Sequence, residues 1–317
     1  MPHKKFIDIG GKLTEVDIYT ACHLDVLVRG SVVRTARTEG DGYEDVDDPA
    51  RLIEALRDGG CGADIFTFPE MNPDARRRYG YPMEWESIAA LRIDGFDHWW
   101  HKQIPQETRT GVRKAEKKGI SVAVVPYTDE LVRGIQSIYN ESPVRQGKPF
   151  WHYGKDLETL RKIHAPFLDS SDFLGAYFKG ELVGFLKLVY SRHCAGTMNI
   201  LSKIEHRDKR VMNALVAKAV EVCSARGIPY FTYCMWSTGG LGEFKIRNGF
   251  QKIDLPRYYV PLTAKGRIAF ALKLHRGVRG MLPPGFKAQL VELRSKWNAI
   301  RTPGPARSAT DTPAPTA

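Results

Sequence analysis

The chain has 317 residues, of which 43% are hydrophobic and 26% charged. That length can bury a real core and suits two domains, and the composition is ordinary for a globular protein. No apolar run approaches the ~18 residues needed to span a bilayer. The net charge of +11 is uneven: residues 1–100 sum to −7, 101–126 to +4, 127–262 to +6 and 263–301 to +8. An acidic front and a basic rear give a field with direction, and the rear half favours polyanions such as phosphates, tRNA or anionic lipid.

The N-terminus, MPHKKFIDIGG, has basic residues but no apolar core of signal-peptide length, so a cytoplasmic protein is expected. Five cysteines, at 22, 61, 194, 223 and 234, form no CxxC and are read as reduced thiols. No metal is expected. The nearest approach to clustered ligands is His98 and His101 in DHWWH, read as helix-surface or aromatic-core histidines.

Residues 1–70 read as a small α/β unit. VLVRGSVVRTAR and ADIFTF have strand character, PARLIEALRDGG is a helix ended by glycine, and EGDGYEDVDDP is an acidic loop. Residues 71–100 hold Tyr79, Tyr81, Trp85, Phe96, Trp99 and Trp100, an aromatic core or seam, or a wall for an acceptor. Arg109, Arg113 and Lys117 recur at i, i+4, i+8 and share one helical face, before a stop at Gly119 and the strand ISVAVV. Residues 127–172 read as helical with a break at GKPFWHYGK. Phe173 to Tyr190 is a hairpin turning at Lys179-Gly180, and Met198 to Ile204 is the next strand. Val211 to Gly227 is the clearest helix, with Val211, Leu215, Ala219 and Val222 in one apolar row and Met212, Val216, Val220 and Cys223 in the next. PYFTYCMW is a strand, LGEFKIRNG a short helix, and FQKIDL and YYVPL close the sheet. Residues 263–301 read as two basic helices split by Pro283-Pro284-Gly285, and the Pro/Ala/Thr-rich tail, 302–317, as disordered.

The hairpin with GELVGF, the long helix and the phrase Phe244 to Phe250 (FKIRNGF) together resemble the GNAT acyltransferase fold, in the version found in FemAB-like, peptidyltransferase-related proteins. The resemblance covers 120–262 well and 85–119 loosely, where RKAEKKG resembles the junction before the second domain of those proteins. It implies an α/β fold with a mixed central sheet flanked by helices. A smaller N-terminal companion domain would span 1–108, and the acyltransferase domain 109–262.

In that fold the strands matching Thr197–Ile204 and Tyr230–Met235 splay apart. The exposed edge, here Asn199, Ile200, Leu201 and Ser202, would pair with the acyl donor and polarise its carbonyl. The helix that follows presents its N-terminus to the donor phosphates, where free amides favour anions. The family's phosphate loop is R/Q-x-x-G-x-G/A. Here Arg210 and Met212 stand at the two glycine positions, so Arg207, Lys209 and Arg210 would grip phosphate with side chains. Lys245 replaces the tyrosine of the Tyr-x-x-x-Gly-Phe phrase and would stabilise developing charge. Glu205 and Glu141 are the candidate bases.

The expected activity is N-acyl transfer from acyl-CoA, or another activated donor, to a small-molecule or envelope-precursor amine. One alternative is a FemAB-like aminoacyltransferase using aminoacyl-tRNA. Another is a non-catalytic polyanion- or membrane-binding protein. In 263–301, Ile268, Leu272, Val278, Met281 and Leu282 interleave with Lys265, Arg267, Lys273, Arg276 and Arg279. That makeup suits a peripheral membrane contact or a packed helix with a basic face.

Overall fold

The computed structural model describes residues 2–276 apart from Gly10, Gly11 and Arg76. The strands are β1 (His3–Ile9), β2 (Lys12–Ala21), β3 (Leu24–Arg29), β4 (Thr35–Thr38), β5 (Ile65–Pro69), β6 (Met83–Arg92) and β7 (Ile120–Val125). A small hairpin follows, β8 (Val144–Arg145) and β9 (Lys148–Pro149), and then β10 (Ser171–Phe178), β11 (Glu181–Tyr190), β12 (Ala195–Ser202), β13 (Tyr230–Met235) and β14 (Gln251–Pro261). Except for the β8–β9 hairpin, all lie in one mixed sheet, ordered β1-β2-β3-β4-β5-β14-β6-β13-β12-β11-β10-β7. The helices are α1 (Pro49–Asp58), α2 (Phe96–His98), α3 (Gln106–Lys117), α4 (Asp129–Tyr139), α5 (Leu157–His164), α6 (Val211–Ala225), α7 (Gly239–Arg247) and α8 (Ala264–Ala271). The mixed sheet flanked by helices is the architecture expected from the sequence.

Local sequence explains most of these elements. The hairpin β10–β11 turns through Lys179 (φ 50°) and Gly180 (φ 82°), both in the left-handed region that a tight two-residue turn needs. The α6 rows bury Val211, Leu215, Ala219, Val216, Val220 and Cys223 in one core with Leu174, Leu186, Leu188 and Phe231 of the sheet. FQKIDL and YYVPL, read as two closing pieces, are one strand. β14 pairs with β6 from Gln251 to Tyr258 and passes to β5 at Arg257. Pro256 fits because its missing N–H falls just before the β5 ladder begins.

The aromatic segment is structural. Trp99 is fully buried and its Nε1 donates to the Asn248 carbonyl at 3.0 Å. The basic face of α3 packs on it: Arg113 stands 5.5 Å over Trp100, and Arg109 donates to the carbonyls of Trp100 and Ile104. At the other end of the chain, α8 leaves Ile268 and Leu272 exposed. Among the described residues no helix is long and apolar enough to cross a membrane. The rest of the basic segment, 277–301, and the tail lie outside the described residues.

One buried polar group sits under the sheet beside α4 and α5. Lys187, fully buried, donates to the main-chain oxygens of His164 (2.8 Å) and Pro166, with its ammonium 5.0 Å over the Phe173 ring. Burial lowers the Lys187 pKa to about 8. His164 is also fully buried, with Nε2 3.2 Å from the Tyr139 hydroxyl. Burial, and then the Lys187 charge, lower its pKa to about 3 from an ordinary 6.5. The unfolded chain therefore takes up this proton near pH 6.5 while the folded chain refuses it until about pH 3. Stability present above pH 6.5 is lost as pH falls through that window. Between pH 7 and pH 5 the wild type should lose about 2 kcal/mol more than His164→Asn does, by urea melts at the two pH values. Equal losses would mean that His164 does not carry the effect.

Candidate active site

Among the described residues β12 and β13 pair at two positions, Ala195 with Phe231 and Gly196 with Thr232, and then part. A bulge in each strand drives the split. On β12, Leu188 and Lys187 of β11 face Thr197 and Asn199, so Met198 is an extra residue. On β13, Thr232 and Met235 face Ala90 and Ile88 of β6, which again leaves one residue too many, and Cys234 there takes φ 49°. Bulges bend the strand that carries them.

Parting strands orphan backbone groups, and a buried carbonyl must find a donor. The Thr197 carbonyl accepts from the Tyr43 hydroxyl at 3.1 Å and from the Cys234 thiol at 3.3 Å. Tyr43 reaches the split from the acidic loop after β4. It fits because Gly196 has no side chain: a Cβ there would sit 2.9 Å from the Tyr43 ring. Burial holds the Tyr43 hydroxyl far above its ordinary pKa, so it stays a donor.

Two cavities flank the split and share Thr197 and Cys234. The first, about 210 Å³, is lined by Asp41, Tyr43, Glu70, Glu86 and Arg257, together with apolar residues such as Ile88 and Leu255. Arg257 pairs with Asp41 at 2.9 Å and with Glu86 at 2.8 Å. Burial opposes its charge, but the two carboxylates raise its pKa above the usual value. Glu70 is buried, accepts from the Asn72 amide at 3.2 Å and lies 3.7 Å from Arg78. The three carboxylates are matched by guanidiniums: Asp41 by Arg257 and by Arg37 at 3.3 Å, Glu86 by Arg257, and Glu70 by Arg78. The second cavity, about 260 Å³, runs along the β12 edge at Asn199, Ile200 and Leu201. Tyr139, Phe150, Trp151, His152 and Phe185 also line it, Phe185 from β11 as the cross-strand partner of Leu201.

A third cavity, about 240 Å³, lies between α3, α6 and α7 and is lined by Arg210, Asn213, Gly240, Arg247 and Asn248, with Glu107 and Glu243. Arg210 directly precedes α6 with φ 59°. It holds the left-handed backbone that glycine would favour, so the turn survives the substitution and adds a guanidinium. Arg247 is paired to Glu107 at 3.0 Å.

The residues singled out in the sequence divide among these places. Asn199, Ile200 and Leu201 line the second cavity, while Ser202 ends β12, its carbonyl taken by Arg145 at 2.9 Å. Arg210 lines the third cavity. Lys209 turns toward His206 Nδ1 (2.9 Å) and the Phe178 ring (4.9 Å), and Arg207 lies in the 3-10 turn before it. Lys245 is 1% exposed, donates to the Met235 carbonyl at 2.7 Å and stands 4.7 Å over Tyr233. Desolvation lowers its pKa, and it sits directly behind the β13 bulge. Glu205 is remote from the split, exposed, and 3.7 Å from Lys203 and 3.5 Å from His206. Glu141 is a clamp: it accepts from the amides of Ile204 (2.6 Å) and Glu205 (2.9 Å) and pairs with Arg145 at 2.9 Å. Among the described residues Glu181, Glu205 and His206 approach metal-site spacing, but the Lys203 ammonium contacts both carboxylates.

Asp41, Tyr43, Glu70, Glu86 and Arg257 were not singled out from the sequence. The available signals were slight: a lone tyrosine inside an acidic loop, and a glutamate directly after the apolar run IFTFP.

Several solved structures share this fold. FemX matches with a TM-score of 0.56 at 10% identity, covering 86% of this chain and 90% of its own. The enzyme L-PGS from Bacillus licheniformis matches with a TM-score of 0.52 at 13% identity, covering 82% and 88%. The C-terminal domain of an Agrobacterium fabrum protein assigned as a lysylphosphatidylglycerol synthetase matches at 0.51 and 14%, covering 85% and 87%. At such identities the likeness is one of fold: the chain shares the fold of FemX and of L-PGS. No protein-family model matches the chain, and no curated protein matches it in sequence.

The two candidate bases should behave differently. Glu141→Ala strands two amides and a half-buried guanidinium, and should cost about 3 kcal/mol of unfolding free energy in urea. Glu205→Ala removes exposed ion pairs and should fall within about 0.5 kcal/mol of wild type. A Glu141→Ala protein of wild-type stability would remove the clamp from this account.

Proposed function

We propose that the chain is an N-acyltransferase whose two substrates meet where β12 and β13 part. One observation carries this reading: two cavities, one lined by ion-paired carboxylates and one by aromatic and apolar side chains, share Thr197 and Cys234 at that point. An acyl donor lying along the free edge of β12 would have its carbonyl polarised by a strand amide in the Asn199–Ser202 stretch. An amine would enter from the other cavity, where the carboxylates of Asp41, Glu70 and Glu86 offer hydrogen-bond acceptors to it.

The chemistry balances without a covalent enzyme intermediate. The ammonium loses a proton, with the buried carboxylate of Glu70 as acceptor. The free amine nitrogen then attacks the acyl carbon, and the bond to the carrier breaks as the amide forms. The nitrogen gives up its second proton as the amide forms, and that proton passes to the departing sulfur or oxygen, so the carrier leaves as a thiol or hydroxyl. Lys245, behind the β13 bulge, adds positive charge beside the developing oxyanion.

The donor carrier is phosphorylated in either version, as acyl-CoA or as aminoacyl-tRNA. Arg210 and Arg247 at the cavity between α6 and α7 suit phosphate oxygens. Arg210 in place of glycine exchanges close backbone approach for a side-chain grip, which both carriers can use.

The experiment is a thermal-stability screen with an acyl-CoA series and with aminoacyl-tRNA, followed by turnover against primary amines. A carrier that binds the folded protein stabilises it by roughly 2.7 kcal/mol at a hundredfold excess over its dissociation constant. Glu70→Gln and Lys245→Met should each lower turnover at least tenfold while leaving the melting temperature within a few degrees. Full activity in both variants, or no stabilisation by either carrier class, would sink the reading.

A further inference from the structure

The cavity beside the β12 edge differs from its neighbour in one decisive respect. Among the described residues no aspartate, glutamate, lysine or arginine lines it. Its lining includes the rings of Tyr139, Phe150, Trp151, His152 and Phe185 together with Ile200 and Leu201. The cavity across the split has three carboxylates. Two pockets meet at one point, one lined by paired carboxylates and the other by no carboxylate, lysine or arginine.

The neutral wall is a built feature. Tyr139 packs against Phe150 (5.5 Å) and Phe185 (5.9 Å). Phe150 is held under the Arg145 guanidinium at 5.1 Å. Arg145 in turn bonds the Ser202 carbonyl at the end of β12 and the Ile138 carbonyl at the end of α4. The aromatic segment is thus tied to the strand edge it faces. Trp151, 65% exposed, stands at the mouth.

We infer that this cavity receives the donor's acyl group and that the group is bulky and uncharged, an aromatic or medium-length aliphatic acyl chain rather than acetyl or lysyl. The inference rests on the acyl-transfer reading and deepens it by naming the substrate class. Volume and charge both support it. At about 260 Å³ the cavity far exceeds the ~10–15 Å³ that one water needs by the same measure. Acetyl would fill little of it. A lysyl ammonium would meet no carboxylate among the lining residues, whereas an apolar chain gains from leaving water there. Each methylene that leaves water for such a wall is worth about fourfold in binding.

The test separates the cavity from the chemistry. Acetyl, hexanoyl, octanoyl, phenylacetyl and lysyl thioesters of N-acetylcysteamine carry the acyl group without a nucleotide. Their binding to the full chain is measured by calorimetry. Octanoyl or phenylacetyl should bind at least a hundredfold more tightly than acetyl or lysyl. Trp151→Ala, a surface change that does not threaten folding, should cut that preference about tenfold. A flat series, tighter binding of acetyl or lysyl, or a length dependence that ignores Trp151→Ala would overturn the inference. The same acyl groups on CoA are then offered with primary amines. If the length dependence holds and no amine is acylated, the acyl-transfer reading fails while the cavity's preference for neutral acyl groups stands.

Discussion

Everything that gives this molecule a site follows from the early end of one strand pairing. β12 and β13 share two residue pairs and then diverge. Continued pairing would close the sheet and leave no edge for a substrate. Keeping it open costs backbone hydrogen bonds, each worth about 1 kcal/mol net and more if a partner is left buried and unpaired. The protein answers on both sides of the gap. Tyr43 and Cys234 cover the Thr197 carbonyl, and Arg145 takes that of Ser202. Glu141 fixes the turn beyond it. The Thr197 hydroxyl, buried and without a hydrogen-bond partner, marks where compensation stops, at the point both cavities share.

The uneven charge of the chain acquires a meaning at the same place. Asp41, Glu70 and Glu86 all come from the acidic first hundred residues, while Arg210 and Arg247 come from the basic remainder. The N-terminal part supplies the carboxylates of the first cavity and the tyrosine that covers the gap. Its strands β1–β5 belong to the same sheet as those of the rest of the chain. In the proposed reaction the acidic front meets the amine and the basic rear meets the carrier. Net charge of +11 alone would have suggested only polyanion binding.

Legibility followed the range of the interactions. The β10–β11 hairpin, α6 and α7 announce themselves through turn residues and apolar rows a few positions apart, and the sequence resemblance rested on them. β1 and β2 were not recognised: they lie at the sheet edge, and Ile18 is the fully buried side chain between them. β6 was hidden inside an aromatic stretch, although it joins the two halves through β14 and β13. The carboxylate-lined cavity was illegible because its residues come from the loop after β4, the end of β5, β6 and β14, which only the fold brings together. The β13 bulge was illegible too, since Cys234 takes a left-handed conformation that sequence assigns to glycine or asparagine.

Lys245 tests whether the site was built for chemistry. A buried ammonium loses its hydration and recovers little from one carbonyl and one ring face. Replacing such a charge by an apolar side chain of similar size is often neutral or stabilising. Stability therefore does not account for a lysine at this position. A field does. The charge lies in a low-dielectric setting directly behind Met235, which lines the first cavity, and Tyr233, which lines the second. There it acts on both cavities without contacting the solvent that would screen it. In the proposed reaction that charge would favour negative oxygen developing at the split.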